Sequence, residues 1–110
     1  MSVSYFVRYQ GKPNDPKAFL DYYRRTHARF MQAFPGVRGA ILHHPIGWSD
    51  PVPVKPDLRY MLAQVLFDDA AALNAALQSE ARMRSRDDFK NMPPFAGEVT
   101  HQACEAEILF

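Results

Sequence analysis

Two hard stops, Asp15-Pro16 and Pro35-Gly36, bracket a stretch that reads as one helix, and that helix constrains everything around it. Proline at a first helical position gives up no bond it would otherwise make, and the aspartate before it can cap the free N–H groups. Pro-Gly at the far end cannot continue a helix. Between the stops, Phe19, Leu20, Tyr22, Tyr23, Phe30, Met31 and Phe34 recur at three- and four-residue intervals, with Arg24, Arg25 and Arg29 mainly outside the stripe. The spacing predicts a helix from Pro16 to about Phe34 with one broad apolar face.

The flanking segments supply a sheet for that face. Val3 to Gln10 is rich in β-branched and aromatic residues and stops at the turn formers Gly11 to Pro16, which read as a loop. Val37 to Pro45 follows as a second strand, with Gly39 where a backbone or a ligand can approach closely. Ile46 to Arg59 holds Pro51, Pro53, Pro56 and the only tryptophan, Trp48, and predicts a long irregular loop. Tyr60 to Phe67 is nearly all apolar and suits a central strand, and Asp68-Asp69 then cap an alanine-rich helix over Ala70 to Gln78. A more polar helical stretch, Glu80 to Lys90, leads through a Pro-rich turn at 92–97 to a last strand, Val99 to Leu109.

Each half is thus strand, helix, strand. The fold class expected is α+β, a ferredoxin-like βαββαβ unit whose four antiparallel strands carry the helices on one face, as a single domain over residues 1–110. The other sheet face is left open with apolar residues to spare, and a second copy of the chain is the simplest cover, giving a homodimer.

Composition narrows the function. The net charge is +1 and no basic block exceeds the Arg24-Arg25 pair, so no nucleic-acid partner is expected. No apolar run approaches the roughly 18 to 20 residues that span a bilayer, so no membrane partner is expected either. The single Cys104 cannot form an internal disulfide, and Met1-Ser2-Val3-Ser4 lacks the layout of a secretory signal, so a cytoplasmic location is expected.

Three segments then carry a resemblance. Lys12-Pro13, Phe19-x-x-Tyr22-Tyr23-x-x-x-His27-Ala28 and Pro35-Gly36-Val37 follow one another as in the EthD family, and Leu66-Phe67-Asp68-Asp69, Asp87-Asp88-Phe89 and Glu105-x-Glu107-Ile108 resemble its second half. Tyr23 stands where that family usually has Trp, and Arg29 where Pro usually follows His-Ala. The resemblance implies a ferredoxin-like monomer that pairs sheet to sheet into a dimeric α+β barrel, each half keeping its own cavity. Its members are similar to methylmuconolactone isomerases, polyketide cyclases or dehydratases, and accessory proteins of ether degradation. One fold hosting several chemistries cannot select among them.

The residues must therefore carry the choice. At about 100° per residue, His27 falls close to Tyr23 and Phe34 inside the apolar stripe, so its ring points toward the sheet, either packed against a carbonyl or used. A neutral imidazole in an apolar pocket can take a proton from carbon beside a carbonyl and return it elsewhere, the step isomerases, cyclases and lyases share. His27 is the expected acid/base with Tyr23 as a second catalytic candidate, and Tyr5, Tyr22, Phe30, His43 and Trp48 are the expected substrate contacts. His43 and His44 are adjacent, so on a strand only one reaches a given face.

No metal-ligand spacing or phosphate motif is present, and no cofactor is expected. Cys104 reads as a small hydrophobe on the last strand, and the run Arg82, Arg84, Arg86, Asp87, Asp88 as a solvated helix face without chemistry. The expected activity is a cofactor-free isomerase, cyclase or lyase of a small hydrophobic or aromatic-derived carbonyl compound. The alternatives are an accessory protein that binds a hydrophobic metabolite in an oxidative degradation pathway, and a dimeric-barrel monooxygenase.

Overall fold

The computed structural model describes residues 2–110, so Met1 lies outside the described residues. Strand β1 (Val3–Pro13) leads into a continuous helical rod made of α1 (Pro16–Tyr22), a π-helical turn (Tyr23–His27) and α2 (Ala28–Gln32). Strands β2 (Gly39–His43) and β3 (Met61–Phe67) follow, then α3 (Ala70–Leu77), α4 (Glu80–Asp87), a 3-10 turn (Asp88–Asn91) and β4 (Phe95–Glu105). The four strands form one antiparallel sheet in the order β2-β3-β1-β4. This is the ferredoxin-like plan, with β3 inside the sheet and the second helix broken in two.

Local chemistry explains the boundaries. The Asp15 carboxylate accepts from Ala18 N at 3.1 Å and Asp69 from Ala72 N at 2.8 Å, each closing the first turn of its helix. Asp68 does not cap; it takes a two-pronged ion pair from Arg38, with bonds of 2.6 and 2.9 Å. Ser79, unforeseen as a cap, restarts the chain as α4 by accepting from Arg82 N at 3.2 Å.

Sheet alternation separates two faces. Val3, Val7 and Tyr9 of β1 and Met61, Ala63, Val65 and Phe67 of β3 are buried beneath the helices with Phe19, Tyr23, Met31, Phe34 and Leu73. The opposite register positions, Ser4 and Phe6 of β1, Leu62, Gln64 and Leu66 of β3, and Ile41 and His43 of β2, lie on the face without helices. A short polar chain crosses that face: Gln64 donates to Ser4 Oγ at 3.0 Å and pairs with His43 Nε2 at 2.9 Å.

The strand ends correct the sequence reading. Gly11 to Pro13 and Phe95 to Gly97, read as turns, stay paired: Gly11 lies opposite Gly97, Lys12 opposite Ala96 and Pro13 opposite Phe95. Both glycines take positive φ, 127° and 149°, and a Cβ on either would meet the other strand's carbonyl oxygen at 2.1 or 1.9 Å. Only glycine tolerates both the dihedral and the approach, which lets the ribbon run on.

Candidate active site

The π-helical turn decides where His27 points. Tyr22 and His27 are five residues apart, which on a straight α-helix would set them about 140° apart around the axis. A π turn instead bonds residue i to i+5 and brings that pair into line. Tyr22 and His27 accordingly reach the same side chain, the Asp88 carboxylate at the start of the 3-10 turn. His27 Nδ1 lies 2.9 Å from Asp88 Oδ2, and the Tyr22 hydroxyl donates to Asp88 Oδ1 at 2.6 Å. Asn91 adds a longer donor contact of 3.4 Å.

Both members of this hydrogen-bonded couple are buried, His27 at 2% and Asp88 at 3% exposure. Burial pushes the His27 imidazole below its ordinary value, against the upward pull of Asp88, and Arg86 adds to the lowering. Burial pushes the Asp88 carboxyl up, but hydrogen bonds from Tyr22, His27 and Asn91 outweigh it and leave it below the usual carboxylate range. Bonding to Asp88 lifts the Tyr22 hydroxyl to about 12. At neutral pH the couple is therefore a carboxylate and a neutral imidazole.

An ionised carboxylate only accepts, so the His27 proton sits on Nδ1 and the basic lone pair on Nε2. Among the described residues no hydrogen bond engages Nε2, yet the one fully buried side-chain polar atom without a partner is the Tyr60 hydroxyl. Nε2 thus keeps access to a cavity of about 30 Å³ lined by His27, Tyr5, Tyr9, Tyr23, Phe89, Arg86 and His101, among others. That volume holds about one water molecule. The ring is held between Tyr23 and Phe89, each with its centroid 5.1 Å away.

The expected site residues divide into three groups. Tyr5 and Tyr23 line the cavity with His27. The buried Tyr23 hydroxyl donates to Met31 Sδ at 3.8 Å, and burial lifts it to about 12, so its part in the wall is packing. Tyr22 stands behind the histidine, on Asp88, and not in the cavity. Phe30, His43 and Trp48 are elsewhere. Phe30 lines a surface hollow with Arg29, Ala33, Ala81 and Arg84, because the helix turns it away from the sheet. His43 is on the helix-free face, and Trp48 is 59% exposed in the long loop.

Asp88 and His101 are the residues the sequence reading missed. Asp88 was expected on a solvated face, but the chain leaves α4 just before it and turns its carboxylate inward. An aspartate directly before Phe89 and three residues after Ser85, both turned inward, was the available signal. His101 lies opposite Val7 on β4, and its Nδ1 is 2.9 Å from the Tyr5 hydroxyl.

A larger cleft of about 270 Å³ opens beside the edge strand, lined by Tyr23, Arg24, Ala28, Met31, Ala40, Leu42 and Ala63. Among the described residues no group of three or more His, Cys, Asp or Glu side chains gathers as metal ligands, and no helix is long and apolar enough to cross a membrane.

Comparison with known proteins gives the same picture of the fold. The EthD domain family matches residues 12–92, the span from the first strand's end to the 3-10 turn that carries Asp88 and Asn91. An ethyl tert-butyl ether D (EthD) family protein from Bacillus halodurans superposes with a TM-score of 0.75 at 24% identity, covering 97% of this chain and 100% of that one. SnoaB, a cofactor-independent oxygenase from Streptomyces nogalater, gives 0.62 at 17% identity, covering 98% and 96%. A dimeric ferredoxin-like protein from Thermobifida fusca gives 0.62 at 9% identity, covering 96% and 92%. No curated protein matches the chain.

Proposed function

The chain belongs to the EthD family, and from that premise we propose that it is a cofactor-free isomerase, cyclase or lyase in which His27 moves a proton on a small carbonyl compound. The observation that carries this is the Asp88–His27 couple, sealed at 2.9 Å with Nε2 left toward a cavity. A packed structural histidine would have no need of a second, ionised partner held by two further donors. Nε2 takes a proton from the carbon beside a carbonyl, and the imidazolium that forms is stabilised by the carboxylate on Nδ1. Tyr22 and Asn91 are positioning residues that hold Asp88 still. The proton then returns to another carbon, or to a departing hydroxyl, or to the alkoxide formed when the carbanion adds to a second carbonyl and closes a ring; each restores the neutral imidazole and none needs an oxidant.

A substrate is larger than about one water, so binding parts α4 from β1 and β4, where the exposed Arg86 and His101 form the seam. The pairing partner in this reading is a second copy of the chain, seated on the helix-free face around Phe6, Ile41, Leu62 and Leu66. Dimeric proteins of the same fold support it.

A second reading has one observation in its favour: the cleft of about 270 Å³ beside β2 suits a hydrophobic metabolite bound without reaction. The oxygenase alternative rests on fold likeness to SnoaB. Proton NMR in D2O on a panel of enolisable aromatic ketones, 1,3-diketones and unsaturated lactones separates the three. Wash-in of deuterium that is lost in His27→Ala with ligand affinity retained supports proton transfer. Binding without wash-in supports the carrier, and oxygen uptake with product oxidation supports the oxygenase.

A further inference from the structure

Helix α4 presents three arginines, and their partners differ. Arg84 pairs with Glu80 at 2.8 Å in the ordinary intrahelical way. Arg82 and Arg86, one turn apart, make no ion pair among the described residues. They reach across to the sheet, Arg82 Nη2 donating to the Tyr5 hydroxyl at 3.2 Å and Arg86 Nη1 to His101 Nε2 at 3.3 Å. Two guanidinium groups thus converge on neutral partners.

A guanidinium can only donate, so His101 accepts through Nε2 and its own proton sits on Nδ1. Nδ1 then donates to the Tyr5 oxygen, 2.9 Å away, which already accepts from Arg82. The Tyr5 hydroxyl hydrogen is left unspent. Burial, then Arg86 and Arg82, keep His101 below its ordinary value, in agreement with a neutral ring. Arg82, Arg86 and the Tyr5 hydroxyl each have a donor left over, His101 spends its one N–H holding Tyr5, and among the described residues no carboxylate answers the two arginines.

Tyr5, Arg86 and His101 line the same cavity as His27. We infer that Tyr5, Arg82, Arg86 and His101 form an anion subsite at the mouth of the His27 cavity, built for a planar carboxylate on the bound compound. Arginine's fork matches a carboxylate with two parallel bonds, and the Tyr5 hydrogen adds a third. The inference rests on the cavity being a ligand site, as in the proposed function, and not on His27 moving a proton.

Calorimetric titration of the intact protein with benzoate and its neutral isostere benzamide, and with 1-naphthoate and 1-naphthamide, tests it. Each acid is expected to bind at least about tenfold more tightly than its amide. The preference should vanish in R82M/R86M, shrink in Y5F, and persist in R84M. Y5F removes one hydroxyl from a partly exposed side chain, so it reports even where the double variant is unstable.

Acid and amide binding equally, or a preference that survives R82M/R86M, overturns the subsite; His27-dependent wash-in would be untouched by that result. Carboxylate preference without wash-in on any enolisable compound leaves the subsite standing and removes the proton-transfer reading. Binding of neither pair overturns the subsite together with the ligand cavity.

Discussion

His27 Nδ1 and Asp88 Oδ2, separated by 61 positions in the chain, meet at 2.9 Å in a place where neither touches solvent. The couple ties the first helical rod to the 3-10 turn, so its loss should be felt in stability as well as in chemistry. Asp88→Ala leaves the His27 N–H and the Tyr22 hydroxyl without their acceptor, and should cost about 3 kcal/mol. Tyr22→Phe removes the 2.6 Å bond alone and should cost about 1.5 kcal/mol. Urea denaturation at unchanged slope measures both, and equal stability of Asp88→Ala and wild type would refute the buried couple.

Acid should weaken the fold in two stages. The His27 and His101 imidazoles lie below the ordinary 6.5 in the folded chain, so the unfolded chain takes up those protons first. More protons bound in the unfolded state means stability falls as pH drops from 6.5 through the lowered native values. Asp88, held below 3.8, adds a second loss of the same sign under that value. Denaturation midpoints followed against pH should decline in this order, and His27→Gln should flatten the first limb. A midpoint that rises on mild acidification contradicts the assignment.

Gly97→Ala should disrupt the outer end of the β1–β4 ribbon. The added methyl meets Gln10 O at 1.9 Å on a backbone with φ of 149°, a penalty on the order of 2 kcal/mol. Gly47→Ala, with nothing within 4 Å, is the matched control and should be close to neutral. Thermal unfolding of the pair gives the comparison directly.

Phe6→Lys tests the helix-free face. Phe6 sits opposite Gln64, beside the Ser4–Gln64–His43 chain, with the Arg8 guanidinium 5.2 Å from its ring centroid, so a second cation there repels Arg8 and has no partner once a second sheet covers it. Light scattering is expected to find a dimer for the wild type and a monomer for the variant, with the near-ultraviolet spectrum of the aromatic core unchanged. A wild type that is monomeric at high concentration removes the sheet-paired dimer.

Capping and periodicity made most of the fold legible. Asp15, Asp69 and the stripe through Phe19, Tyr23, Met31 and Phe34 all act as their spacing implies, because each effect is local. His27 was legible for the same reason, as a polar residue inside an apolar stripe. Asp88 was not, because its burial depends on where α4 ends and on a ring 61 positions away. Gly11 and Gly97 resemble turn glycines in isolation, and only their mutual register makes them part of a strand pair. Arg82 and Arg86 look identical to Arg84 in the sequence; what differs is the sheet beneath them.

The π turn acts as one residue spliced into an α-helix. Removing one of Arg24, Arg25 or Thr26 would leave Tyr22 and His27 four positions apart, about 40° around an unbroken α-helix, so both would still face Asp88. Straightening the turn at full length would instead set them about 140° apart. The register behind the histidine is thus held by how the helix is wound, and a shortened turn would keep it where a straightened one would not.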